Sequence, residues 1–349
     1  MLVLLFLFLS REVWSFPNLV RHGYVQCSAC HVSPSGGGIL TSYGRQLSGE
    51  VVSKWSVPGE ANVLHGAIGD WSDRSGVLFG GDVRSIQTHY EDARVRRGKF
   101  FLMEASLDVA IQLERVVFGL SIGEIERPQD KVFRGNLYAS EYFAQWSATD
   151  FLTVRGGRYW PQFGLRLPDH TLVTRSSLGF GPGAQFDTAE GFLTSEKWSG
   201  SFAFSENAEA HDKGATLTAL YTPGEKSRYG LSVWRGQLAG KDKEIRSAHA
   251  IVGITKDFFA LVEVDRMRVG DVRSEYEFLR FGYELVQGLI PYAQIQRSKA
   301  DESKDRVLYP GLGLQFFPRP HFEVQGQWSR VITKIQDADS AYLLTHYYF

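Results

Sequence analysis

The stretch 101-FLMEASLDVAIQ-112 alternates between two kinds of side chain along its length. Its odd-numbered positions are apolar, and its even-numbered positions include Glu104, Ser106 and Asp108. Successive side chains of a β-strand point to opposite faces, so this pattern predicts a strand with one apolar and one polar face. The same alternation returns at 258–265 and at 322–329.

Alternation of this kind occurs in soluble β-sandwiches as well as in membrane barrels. Two features of the segments favour a barrel. They run for about 10 to 14 residues, which suits tilted strands that cross a bilayer better than the usual five or six. Aromatic residues gather near segment ends, at Tyr159-Trp160, Phe316-Phe317 and 347–349, which is typical of the girdles at membrane interfaces.

The end of the chain is a third feature in favour of a barrel. Phe349 is the last residue, and Tyr347, Leu343 and Ala341 share its face of the strand. This ending resembles the C-terminal strand by which bacterial outer-membrane barrels are recognised for assembly.

Counting the alternating segments from about residue 77 onwards gives about 16 strands, within a range of about 14 to 18. An even number suits single-chain barrels. We therefore expect an all-β fold, a transmembrane antiparallel up-and-down β-barrel with a short irregular segment before it. We assign residues 62–349 to the barrel, whose size normally leaves an aqueous lumen.

The N-terminus carries an apolar run, Leu2 to Leu9. It is too short to span a bilayer as a helix, which needs about 20 residues. It suits a secretory signal, with Val13-Trp14-Ser15 as the cleavage site, although no Lys or Arg precedes the run. We predict a signal peptide at 1–15 and export to the outer membrane; the alternative is a buried N-terminal strand.

Both cysteines lie in one motif, 27-CSACH-31. Two thiols at this spacing, followed directly by His, form the attachment signature of c-type haem. Cys27 and Cys30 would each add to one haem vinyl group, and His31 would be the proximal iron ligand. A disulfide, a zinc site and a thioredoxin-type pair are the alternatives. A disulfide would leave His31 without a role. A zinc site would need two further ligands, and a thioredoxin-type pair would need a βαβ context.

The residues after this motif read 33-SPSGGG-38, a flexible turn that lets backbone pass close to a flat cofactor. A plain linker is the alternative. Too few residues precede the strands for a separate helical cytochrome domain. We therefore assign residues 16–61 to a haem-attachment segment that docks on the barrel or plugs it, with one covalent haem c.

The sixth iron ligand has several candidates. His22 and His65 are the two that we favour, and His89 is also near in sequence. Met103 is set aside because the alternation puts it on the apolar face of its strand. An open or water-filled position is the remaining alternative.

One connection is long, about 25 residues between the strands near 152–158 and 186–193. Long connections in compact folds are often functional. We expect it either to fold into the lumen as a pore constriction or to form a solvated surface loop. In the first case Arg166, Asp169, His170 and Arg175 line the constriction.

The composition of the 349 residues agrees with a barrel and excludes other classes. Many aromatic residues and glycines (24 Phe, 15 Tyr, 8 Trp and 36 Gly) with only 3 Met and 2 Cys suit strands. A formal net charge of −1 gives no basic excess for nucleic acid. No paired carboxylates, nucleophile triad or phosphate loop indicates hydrolytic or nucleotide chemistry.

Two stretches resemble known families. Residues 157-GRYWPQFG-164 resemble the strand-end motif of phosphate-selective and related substrate-specific porins. Residues 24–45 resemble the haem-attachment head of outer-membrane porins in porin–cytochrome systems. That resemblance implies electron movement at the outer membrane. Multihaem conduits carry many CxxCH motifs, however, and a single haem does not form a wire across about 30 Å of hydrocarbon.

Three functions follow as hypotheses. The first is electron transfer, in which haem at the periplasmic mouth or in the lumen relays electrons between periplasmic or surface cytochromes. The second is a diffusion porin for small solutes, in which the haem segment is a plug or redox gate. The third is a peroxidase or ligand sensor with an open sixth iron position. In each case we expect outer-membrane lipid around a monomer or trimer.

Overall fold

The computed structural model describes residues 17–24, 26–67, 76–125, 138–167, 169, 172–181, 184–300 and 306–349. The predicted signal peptide at 1–15 lies outside these residues. The described strands form one closed antiparallel barrel, in which each strand pairs with its sequence neighbours and the last pairs with the first. The expectation of an up-and-down barrel of about 16 strands is confirmed.

The strands are β1 (Val77–Asp92), β2 (Arg96–Leu113), β3 (Val116–Ile125), β4 (Tyr138–Ser147), β5 (Leu152–Tyr159), β6 (Phe186–Thr194), β7 (Trp198–Asn207), β8 (Asp212–Gly224), β9 (Ser227–Leu238), β10 (Lys241–Gly253), β11 (Phe258–Val269), β12 (Val272–Tyr283), β13 (Leu289–Ala300), β14 (Arg306–Arg319), β15 (Phe322–Val331) and β16 (Ala338–Tyr348).

The alternation along the strands separates a polar interior from an apolar exterior. In β15, Glu323 and Gln325 are buried inside the barrel, and Trp328 is exposed on its outer surface. In β11, Glu263 points inward while Val264 points outward. Large exposed apolar side chains recur around the outer wall, among them Leu107, Phe118, Phe204, Leu217, Leu231, Leu312 and Leu343. The outer surface therefore suits hydrocarbon, as in outer-membrane barrels.

Strand β2 departs from the predicted alternation at Met103. The pairing register with β1 shifts there, so Met103 is an extra residue, a β-bulge. Met103 is buried in the interior with Ile86 and Leu344, and Phe101 packs against the same cluster. Leu107, beyond the bulge, is exposed on the outer wall. The expectation that Phe101, Met103 and Leu107 share one apolar face is therefore wrong, because the bulge reverses the faces.

Several aromatic residues that we expected in the interfacial girdles lie inside the barrel. Tyr159, Phe317 and Tyr348 are buried, and Trp160 lines an internal cavity. The reason at Tyr159 is that β5 ends there and the chain turns into the lumen. Other aromatic residues are exposed on the outside near the β4–β5 and β6–β7 turns: Trp146, Phe151 and Trp198.

The N-terminal segment is irregular, as predicted. It contains 3₁₀ turns at Pro17–His22, Cys27–Ala29 and Val63–Gly66, and a short helix α1 (Ser42–Leu47) that continues into a π-turn at 48–52. Helix α1 begins where the Thr41 hydroxyl accepts a hydrogen bond from the Gly44 amide, at 3.0 Å. Among the described residues, no helix is long and apolar enough to cross a membrane.

The N-terminal segment and the β5–β6 connection together fill much of the lumen. The connection carries a second short helix, α2 (Val173–Leu178). Leu19, Val20 and Val52 of the segment pack with Leu165 and Leu172 of the connection. Wall residues complete this cluster: Ile251, Phe259, Leu261, Phe278, Ile290 and Phe317. A solvated surface loop is thus excluded for the connection, because its apolar side chains are buried in the barrel.

The segment is attached to the turns at one end of the barrel. The Lys54 amide donates to the Phe317 carbonyl at 2.7 Å, and Arg319 pairs with Glu60 at 2.9 Å. At the β12–β13 turn, Arg21 forms a buried ion pair with Glu284. These contacts fix the segment to the short turns at the end where β16 finishes.

We predict that Leu231→Arg strongly destabilises the barrel in lipid. Leu231 is exposed in β9, where its neighbours on the adjacent strands are Ala219 and Ala248. An arginine facing the middle of the bilayer costs about 2–4 kcal/mol, whereas one near an interface costs about 0–1 kcal/mol. The free energy of unfolding from lipid vesicles, measured by denaturant titration, should fall accordingly.

The matched control is Leu193→Arg, which makes the same change at an exposed leucine near the end of β6. Equal losses at Leu231 and Leu193 would contradict an apolar belt centred on Leu231.

Candidate functional site

The motif 27–31 forms one turn of helix. The amides of Cys30 and His31 donate to the Cys27 carbonyl at 3.2 and 3.0 Å. Residues three and four positions apart lie on one face of such a turn. Cys27, Cys30 and His31 are therefore presented together, and the two cysteines are not joined in a disulfide.

A hairpin follows the motif and reaches into the lumen. His31 and Leu40 form an antiparallel bridge across it. Its tip contains Gly36, Gly37 and Gly38, all with positive φ of 79°, 77° and 61°, a conformation that disfavours other residues. A Cβ at Gly38 would meet no atom within 4 Å, so the missing side chain leaves open space beside the tip.

Charged side chains of the barrel hold this hairpin. Arg155 of β5 donates to the hydroxyls of Ser33 and Ser35 at 2.7 and 3.2 Å. Arg155 also pairs with Glu190 of β6 at 3.0 Å, and both side chains are almost fully buried. Arg166 of the connection donates to the Ser35 hydroxyl at 2.6 Å. The hairpin is thus fixed between the wall and the connection.

The motif and the hairpin open onto an internal cavity of about 270 Å³. Cys27, His31 and the hairpin glycines line one part of it. Charged groups of both signs line the rest: Asp82, Arg84, Glu104, Asp108, Glu141, Arg166, Asp169, Arg175 and Arg228. Its volume approaches the lower end of pockets that hold small ligands, about 300 Å³.

The residues at and directly beside this cavity include the attachment set of a c-type haem. Cys27 and His31 face the cavity, and Cys30 is buried beside them against Leu47 of α1. The glycine tip leaves space for a flat group. The guanidinium of Arg166 lies within the cavity lining, where it would be able to bind a carboxylate of the cofactor.

The two histidines that we favoured as sixth ligands lie elsewhere. His22 accepts a hydrogen bond from Arg21 at 3.0 Å and lies 3.5 Å from Glu284, near the β12–β13 turn. His65 stacks on Tyr347 with ring centroids 5.4 Å apart. Within the described part of the chain, neither side chain lines the cavity that contains Cys27 and His31.

Two histidines that sequence reasoning missed do line this cavity, His249 of β10 and His346 of β16. His346 is held by Asp82 at 2.6 Å and by Glu323 at 3.2 Å, one to each ring nitrogen. His249 is buried, and none of the described residues hydrogen-bonds to its Nδ1. The alternation along β10 would have placed His249 inside, but it could not show which part of the interior the strand faces.

Three of the predicted constriction residues lie inside the barrel, and two of them form ion pairs with the wall. Asp169 pairs with Arg280 of β12 at 2.6 Å, and Arg175 pairs with Glu263 of β11 at 3.3 Å. Arg166 is bound to Ser35, as described above. His170 lies outside the described residues. The structure thus brings Arg166, Asp169 and Arg175 to one internal cavity, together with Cys27 and His31.

The β14–β15 turn also holds the N-terminal segment through a titratable group. Nε2 of His321, which is fully buried, donates to the Ala61 carbonyl at 2.7 Å. Burial lowers the pKa of His321 from its ordinary 6.5 to about 4; the hydrogen bond to Ala61 opposes this shift, and the charges of His65 and Arg45 add to it. The neutral ring is therefore the form that the folded protein stabilises.

We predict that this attachment weakens as the pH falls from 6.5 towards 4. The unfolded chain binds the His321 proton more readily, so the stabilisation is complete above pH 6.5 and is lost on acidification, by up to about 3 kcal/mol. Limited proteolysis of residues 48–67 with an acid-tolerant protease should accelerate over this range. His321→Gln keeps an N–H donor without titrating, and an identical pH profile in that variant would exclude His321 as the cause.

No protein-family model matches this sequence, and no curated protein sequence matches it. Solved structures of outer-membrane proteins do match its fold. A loop-deletion mutant of OmpT from Vibrio cholerae aligns with a TM-score of 0.63 and 12% identity, over 78% of this chain and 99% of that one. The outer-membrane channel DcaP of Acinetobacter baumannii aligns with a TM-score of 0.60 and 10% identity, over 78% and 97% of the two chains.

An anion-selective porin from Comamonas acidovorans aligns with a TM-score of 0.58 and 11% identity, over 78% of this chain and 99% of that one. A trimer form of OmpT aligns equally well, with a TM-score of 0.58 and 11% identity, over 78% and 99% of the two chains. At these identities the likeness is one of fold. The chain has the closed barrel fold of outer-membrane porins.

Proposed function

We propose that this chain is an outer-membrane barrel that carries one covalent c-type haem inside its lumen and takes part in electron transfer at the outer membrane. One observation carries the proposal: the Cys27–His31 turn faces an internal cavity of a barrel whose lumen is otherwise largely filled. An open diffusion pore needs a free lumen, which the N-terminal segment and the β5–β6 connection do not leave here.

Cys27 and Cys30 would hold the haem through thioether bonds, and His31 would bind its iron. The cofactor supplies a one-electron couple, in which the iron gains or loses a single electron. The chain contributes the environment. Arg155 and Arg166 fix the hairpin beside the cavity through Ser33 and Ser35, and the apolar cluster around Leu165 packs the N-terminal segment against the connection and the wall.

Location and orientation are parts of this proposal. The outer wall carries an apolar belt, which supports outer-membrane lipid as its surroundings. Short turns are typical of the periplasmic end of such barrels, and the segment is attached to short turns. Beyond the belt at the other end, Arg235, Arg246 and Arg268 surround Glu244 on the outer face. The haem segment would thus face periplasmic cytochromes, with surface cytochromes as partners on the other side.

A diffusion porin is the second candidate. The names of two structural neighbours, a channel and an anion-selective porin, favour it. The cavity is lined by charged groups of both signs, so the lining suits small charged solutes without selecting anions. In this case the haem segment would act as a plug or redox gate. The neighbour in trimer form supports a trimer as one of the two assemblies to test, the other being the monomer.

We predict that the full-length protein, expressed with a c-type haem maturation system, gives an outer-membrane band that stains for haem after denaturation. The band should migrate differently before and after heating, because a folded barrel resists detergent. Cys27→Ser with Cys30→Ser should lose the stain and keep the heat-dependent migration.

A heat-modifiable wild-type band without haem would leave only the porin candidate. Haem in the soluble periplasmic fraction would contradict the membrane location. Redox titration of the stained protein should give one reversible couple, as an electron carrier requires.

Planar-bilayer conductance separates the two candidate functions. An electron carrier with a filled lumen should conduct little, whether or not Cys27 and Cys30 are replaced. A porin with a redox gate should instead show channels whose conductance changes with the haem iron's oxidation state. Large, steady channels in the wild type would contradict the carrier proposal.

A further inference from the structure

We infer that His249 is the iron ligand opposite His31. This inference rests on the proposed haem and assigns its sixth position to the barrel wall rather than to the N-terminal segment. His249 lies in β10, far from the CxxCH motif in sequence, and it faces the same cavity as Cys27 and His31.

The side chains that line the cavity leave few alternatives. Haem iron is bound in proteins by His, Met, Cys or Tyr. Of the described methionines, Met103 packs in a separate cluster and Met267 packs against another, so neither lines the cavity. His346 has both ring nitrogens engaged by carboxylates. Tyr24 and Tyr348 line the cavity, but a tyrosine binds iron only after losing its phenolic proton.

The pairing of β9 with β10 places His249 next to the wall residue that contacts the attachment turn. Arg228 of β9 lies opposite Ile251, and its Nη1 is 3.8 Å from the Cys27 sulfur. The next inward-facing pair along these strands is Gly230 with His249. Two residues along a strand span about 7 Å. His249 therefore lies one inward position away from the wall residue that contacts Cys27.

The wall makes room for this imidazole. A Cβ at Gly230 would lie 2.1 Å from Nε2 of His249, so any side chain there would displace the ring. Gly230 has no positive φ that would require glycine for backbone reasons. Its value at this position is thus the space that it leaves for His249.

The burial of the His249 ring indicates which of its two nitrogens could bind iron. Its exposed fraction is 6%, and none of the described residues hydrogen-bonds to its Nδ1. Buried polar groups normally have a partner, and an imidazole that binds a metal through one nitrogen commonly donates from the other. Because Nδ1 has almost no accessible surface, iron would bind through Nε2, the nitrogen that lies in the space left by Gly230.

Two histidine ligands would leave no open position on the iron. The site would then exchange electrons without binding small ligands, which separates it from a peroxidase or a gas sensor. Whether the sixth iron position is occupied can be measured from spectra, without an assay of electron transfer.

The experiment compares full-length holoprotein with His249→Ala, using His22→Ala and His65→Ala as matched controls. Ferric wild type should show low-spin absorption and EPR signals. His249→Ala should lose these signals and become high-spin, and its ferrous form should bind carbon monoxide, which the wild type should not bind. Added imidazole should restore the low-spin state, because it occupies the vacated position.

A second pair of variants tests the same geometry while His249 is kept. Gly230→Ala should shift the haem towards high spin, because the new Cβ displaces the ring. Gly191→Ala in β6, where a Cβ would meet nothing within 4 Å, should leave the spectra unchanged. Heat-dependent migration on gels confirms that each variant is folded.

A low-spin His249→Ala protein would overturn the inference. Loss of the low-spin signal in His22→Ala or His65→Ala alone would assign the ligand to the N-terminal segment. A high-spin wild type would also overturn it. Absence of covalent haem from the wild-type gel band would instead remove the proposed function, and that readout is independent of the spin state.

Discussion

Closure of the sheet between β1 and β16 is the constraint on which the rest of this structure depends. In hydrocarbon every backbone N–H and C=O must be bonded within the protein, and a closed barrel meets this requirement without an exposed edge. The seam runs in regular antiparallel register from Asp82 with Tyr348 to Asp92 with Ala338. The last residue continues it, since the Phe349 amide and carbonyl bond to Gly81. Because successive side chains of a strand point to opposite faces, every second side chain of the closed barrel faces the interior.

The inward side chains are largely polar and charged, and their pairing explains how the lumen is filled. A buried charge without a partner is costly, by about 3–5 kcal/mol when one member of a pair is removed. Arg155 pairs with Glu190, and the same guanidinium also donates to the Ser33 and Ser35 hydroxyls. The wall thus binds the inserted hairpin with the same groups that neutralise its own interior. Apolar contacts from Leu165 and Val52 complete the filling.

Much of the fold could be predicted from the sequence because its signal is local. Period-2 alternation, repeated along the chain, gave the barrel class and the strand number. The inward turn of Met103 could not be predicted, since a bulge depends on the pairing partner and leaves the sequence of β2 itself unremarkable. For the candidate site, likewise, one part could be predicted from the sequence and another could not. Cys27, Cys30 and His31 are adjacent in sequence, whereas the approach of His249 depends on the register of β9 with β10 and on where the N-terminal segment enters.

The position of the hairpin has a consequence for biogenesis. It is enclosed by β5 and β1 inside a barrel whose seam joins β1 to β16. Any group joined to Cys27 and Cys30 has to be added while these thiols are still accessible to a maturation enzyme. Covalent attachment of haem would therefore precede closure of the seam. A barrel that closed first would enclose unmodified thiols. On the proposed function, the topology would therefore set the order of modification and folding.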